Sequence, residues 1–80
     1  MSAIIDFEFE FTPSGRPNFF ATAHLRHEGS AMETYQWSVE RIDAKEHLTA
    51  VDRSEIEVYL REWKADVISR KFKARLAWAA

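Results

Sequence analysis

Few residues in this chain are of types that could do chemistry, and their spacing limits what they can do. His24 and His27 have the H-x-x-H spacing of a metal-binding pair. In an extended segment, however, positions three apart point to opposite faces. Zinc also needs four convergent ligands, and His47 is the only other imidazole. We expect no metal site and read these histidines as surface groups, with His24 answering Asp6 or Glu8 across a hairpin. Asp6, Glu8 and Glu10 share one parity along the chain, so they form a solvated row rather than an acid and base in contrasting surroundings. Ser14-Gly15-Arg16 reads as turn chemistry. With two glycines and no cysteine, the chain has no phosphate-cradling loop, thiol nucleophile, thiolate metal site or disulfide. No catalysis and no cofactor are expected.

The elements that hold these residues follow from periodicity. Ile5, Phe7, Phe9 and Phe11 alternate with Asp6, Glu8 and Glu10, the pattern of a half-buried strand over residues 3–11. Pro13, Ser14, Gly15 and Pro17 mark a hairpin loop over Thr12 to Asn18. A second strand, about Phe19 to Glu28, puts Ala21, Ala23 and Leu25 on one face and Phe20, Thr22, His24 and Arg26 on the other. After Gly29 and Ser30, a third strand over about Glu33 to Ile42 sends Tyr35, Trp37 and Val39 inward and Thr34, Gln36, Ser38 and Glu40 outward. Residues 43–51 fit either a loop with a helical turn or a short extended piece. Ser54 and Glu57 have capping-box spacing, and Ile56, Leu60, Trp63 and Val67 recur on one helical face, which predicts an amphipathic helix from about Ser54 to Ser69.

Beyond Ser69 two patterns compete. As a helix, Ile68, Phe72 and Leu76 would form a second apolar stripe, rotated by more than about 90° from the first at roughly 100° per residue. One straight helix could not bury both stripes against one sheet. As a strand, Lys71-Phe72-Lys73-Ala74-Arg75-Leu76-Ala77-Trp78 alternates, with Phe72, Leu76 and Trp78 inward and a basic row that could pair with the acidic row of the first strand. The expected architecture is therefore a single α+β domain over 1–80. It is an antiparallel three-stranded meander packed on one amphipathic helix with a fourth C-terminal strand (βββαβ); the alternative is βββα with one long helix.

Composition bounds the function. Of 80 residues, 46% are hydrophobic and 14% aromatic, enough for a core and unlike a disordered chain. Cysteine-free composition, the absence of a long apolar run and an acidic segment from Met1 to Phe11 predict a cytoplasmic protein that uses no membrane. From Lys64 onward the basic residues are Lys64, Arg70, Lys71, Lys73 and Arg75 against Asp66 alone, yet the whole chain carries −2. That balance disfavours nonspecific duplex binding. We expect a small non-catalytic module that binds a larger protein as inhibitor or adaptor, of a kind encoded by phage and mobile elements. The alternatives are a nucleic-acid binder using the basic C-terminal segment and a homodimeric structural protein. Phe20 is the expected anchor, with His24, Arg26, Lys71, Lys73 and Arg75 as further partner-binding residues.

Overall fold

The computed structural model describes residues 3–29 and 35–79, the last three of these by their backbone alone. Three strands and two helices follow in order: β1 (Ile4–Phe11), β2 (Phe19–His27), β3 (Trp37–Ala44), α1 (Ala50–Trp63) and α2 (Ala65–Ala79). The strands form an antiparallel sheet in the order β1-β2-β3. This is the expected α+β meander, but its C-terminal third differs from both expected forms.

Parity governs β1 and β2 as the sequence requires. Phe7, Phe9 and Phe11 are buried and face Ala23, Ala21 and Phe19 across the strand pair. Small alanines opposite large rings let the layer fill without voids. The turn between the strands closes with Arg16 N–H donating to the Pro13 carbonyl, and Gly15 takes φ +73°, a conformation side chains rarely adopt.

β3 changes parity midway. Leu25 pairs with Val39 but His24 pairs with Arg41, so Glu40 is an extra residue, a β-bulge. Trp37 and Val39 face the core before it; Ile42 and Ala44 face the core after it. The strand starts at Trp37, and Tyr35, expected inward, is 60% exposed because it precedes the ladder. The expected strand residues Glu33 and Thr34 lie outside the described residues.

α1 starts a turn earlier than Ser54. Thr49 is its N-cap: the Thr49 hydroxyl accepts from Asp52 N–H, and the Asp52 carboxylate accepts from Thr49 N–H. This reciprocal box closes residues 43–51, which end β3 at Ala44, loop through Leu48 and open the helix at Ala50.

The fourth strand is replaced by α2. Residues 65–79 are helical, and the two rotated apolar stripes are reconciled by a break at Lys64, where φ is −119° and ψ 5°. Lys64 N–H still donates to the Leu60 carbonyl, and its own carbonyl accepts from Ile68 N–H, so hydrogen bonding continues across the break. After it, Ile68 and Phe72 join Ile56 and Leu60 in one core, all fully buried. Each such side chain contributes roughly 1.5–3 kcal/mol by leaving water. The same turn of the axis strands Trp63 at 74% exposure and Val67 at 39%, both expected inside. The Trp78 side chain, expected inward, lies outside the described residues. His27, expected at the surface, is buried and its ring lies 5.4 Å from that of Phe72. As an odd-numbered residue of β2 it shares the core face with Leu25.

Candidate functional site

Both helices pack on the Phe7–Leu25–Ile42 face of the sheet. The opposite face is left to solvent among the described residues. It is built from the even positions of β1 and β2, namely Ile4, Asp6, Glu8, Glu10, Phe20, Thr22, His24 and Arg26. The bulge adds Arg41 and Asp43 of β3, which uninterrupted alternation would have turned into the core.

At the centre of this face His24 joins all three strands. Its Nδ1 lies 2.6 Å from Asp6 Oδ1 on β1, and its Nε2 lies 2.7 Å from Asp43 Oδ2 on β3. An ionised carboxylate only accepts, so both ring nitrogens must donate and the ring is an imidazolium in this arrangement. The Asp43 hydrogen bond raises the His24 pKa above its ordinary value; desolvation works against this, and the Asp6 hydrogen bond and charge add to it. Asp43 is held below the usual carboxylate range, first by the His24 hydrogen bond and then by the charge of Arg41. Arg41 Nε sits 3.1 Å from Asp43 Oδ1, so guanidinium and imidazolium converge on one carboxylate.

Flanking contacts complete the face. Arg26 Nε lies 2.5 Å from Glu40 Oε1, an ion contact rather than an aligned hydrogen bond, between two partly exposed groups. Asn18 Nδ2 donates to Glu10 Oε2 at 2.7 Å. Opposite Glu10 stands Phe20, 66% exposed. Asp6, Glu8, Glu10, Glu40 and Asp43 together outnumber Arg26, Arg41 and the imidazolium, so the face is acidic.

His24 thus touches two carboxylates, of Asp6 and Asp43, and the guanidinium of Arg41. Asp6 and Asp43 occupy opposite ring nitrogens and do not converge on one point, and among the described residues no group of three acidic or histidine side chains could hold a metal ion.

The residues singled out from sequence fall on two separate surfaces. Phe20, His24 and Arg26 lie together on the open face, and the expected His24–Asp6 contact is present. Lys71, Lys73 and Arg75 are carried by α2, in the other layer, so they form no cross-strand pairs with the acids of β1. Lys71 and Arg75, with Ala74, Ile5 and Asp6, line a groove of about 440 Å³ beside β1. Lys73 turns to the other flank of the helix, about 200° away from Lys71. Arg41 and Asp43 were missed; the signal was the slip from Trp37 and Val39 to Ile42 and Ala44. Arg16 was missed as well. Its Nη2 meets Asp52 Oδ1 at 2.5 Å and, with the Thr49 backbone, lowers the Asp52 pKa.

No family model, curated protein or solved structure matches this chain. No described helix is long and apolar enough to cross a membrane.

Proposed function

We propose that this chain is a non-catalytic binding module that occupies the surface of a larger protein, as inhibitor or adaptor, through the open face of its sheet. One observation carries the reading: Phe20 is held two-thirds exposed on a face that no described element covers. A rigid aromatic ring on a strand loses little entropy on binding and has the character of an interface anchor. Glu8 and Glu10 beside it favour a partner with a basic rim around an apolar recess. A second copy is the poorer occupant, because apposing two such faces would bring like charges together.

Affinity capture from the source cell tests this when wild type is run beside Phe20→Ala and Glu10→Lys. The expected result is one protein held by wild type and lost with both variants, while their circular dichroism is unchanged. A partner retained by Phe20→Ala overturns the reading. So does sedimentation at twice the chain mass that Phe20→Ala abolishes, which would make the face a homodimer contact. Retardation of duplex DNA at low salt, lost on reversing Lys71, Lys73 and Arg75 to Glu, would move the function to α2.

A further inference from the structure

The open face ends at β1, and the outer edge of that strand is itself a candidate contact. Both β1 and β3 are edge strands, but the bulge at Glu40 breaks the regularity of β3. Bulged edges are poor templates for further pairing. β1 is unbroken, in register with β2 from Ile4↔Arg26 to Phe11↔Phe19.

His27 N–H donates to the Ala3 carbonyl at 2.8 Å, so residues of odd number at this end of the ladder spend their backbone groups on β2. Hydrogen-bonded and non-hydrogen-bonded pairs alternate in an antiparallel ladder. The N–H and C=O groups of Ile4, Asp6, Glu8 and Glu10 therefore point away from β2, toward a side where no described strand pairs.

Beside that edge runs α2. Lys71 reaches over β1 to within 6.0 Å of the Phe7 ring, and the groove of about 440 Å³ lies between Ile5 and Asp6 on one side and Lys71, Ala74 and Arg75 on the other. An edge strand beside a helix is the geometry in which an extended segment can add to a sheet, with the main chain giving affinity and alternate side chains giving specificity. Here the two walls differ in sign. Side chains of an added strand that turn toward α2 meet Lys71 and Arg75; those that turn toward the open face meet Asp6, Glu8 and Glu10.

We propose that β1 accepts an extended segment of the partner protein as a fourth strand, one whose side chains alternate between acidic or apolar groups facing α2 and basic groups facing the open side. A second copy of β1 is the wrong occupant, since it would set its own Asp6, Glu8 and Glu10 beside this row. The proposal rests on the binding-module reading and extends its docking face across the β1 edge.

The test uses the full chain and a synthetic peptide, Thr-Lys-Glu-Lys-Val-Lys-Glu-Lys-Thr, with a control of the same composition in which the charges are blocked rather than alternating. Amide hydrogen exchange followed by NMR should slow by about tenfold or more at Ile4, Asp6, Glu8 and Glu10 when the alternating peptide is added, and not with the control. Reversing Lys71 and Arg75 to Glu should remove the effect. Glu8→Pro should remove it too while leaving the β2 ladder intact, because proline is tolerated where the N–H points to solvent, and Glu8→Gln should keep most of it. No slowing at millimolar peptide, or shifts confined to Phe20 and Thr22, overturns strand addition. Neither result touches the Phe20-dependent capture, so the two readings fail separately.

Discussion

The two faces of the sheet are made by the same three strands and carry opposite kinds of side chain. On the helix side, Phe7, Leu25, Ile42, Ile56, Leu60, Ile68 and Phe72 are packed against one another and shut off from water. On the other side, Phe20 stands in solvent among carboxylates, and the interactions holding the face together are ionic and exposed. Exposed ion pairs typically contribute under about 1 kcal/mol each. The fold is therefore held by one face, and substitutions on the other should cost little stability.

That contrast can be broken in order of expected effect. Phe72→Ala empties a fully buried site where α2 meets the sheet, and urea unfolding should show a loss of about 3–5 kcal/mol. A loss under about 1 kcal/mol would mean that α2 is not part of the core. Next comes Thr49→Ala, which deletes the hydroxyl that accepts from Asp52 N–H and should cost about 1 kcal/mol by the same measurement.

On the open face the effects shrink and become conditional on pH. Because the folded pKa of His24 is raised above 6.5, its contribution is complete below that value and is lost as pH rises through the raised folded value. Thermal midpoints of wild type and His24→Gln should thus differ most at acidic pH, above the range where carboxylates protonate, and converge in alkali. Asp43 and Asp52 have lowered pKa values and work the other way: their contributions hold above 3.8 and are lost as pH falls through the lowered values. A wild-type advantage over His24→Gln that grows with pH would contradict the imidazolium clamp. Smallest of all is Phe20→Ala, expected to shift stability by no more than about 0.5 kcal/mol.

How much of this was legible follows from the range of each interaction. Strict alternation fixed the faces of β1 and β2, because one buried face leaves a strand no freedom of register. The two apolar stripes of the C-terminal segment were visible too, and a straight helix indeed cannot bury both. The inference to a strand failed because a helix can also turn its axis at one residue, and nothing about Lys64 itself advertises that. Thr49–Asp52 and Ser54–Glu57 both fit a capping box by spacing. The earlier one prevails where Asp52 also meets Arg16, a contact spanning 36 positions that no local pattern contains. His24 was half legible: its partner on β1 follows from hairpin register, but Asp43 depends on a bulge that reverses parity after Val39. The open face was thus readable along each strand and unreadable where strands or loops distant in sequence meet.

If the open face binds and the covered face folds, measuring Phe20→Ala twice, for thermal midpoint and for affinity toward the captured partner, separates the two. The expected result is a midpoint within about 4 °C of wild type and an affinity reduced by about thirtyfold or more. A midpoint that collapses as it does for Phe72→Ala, with affinity intact, would show that Phe20 belongs to the fold and that the docking face lies elsewhere.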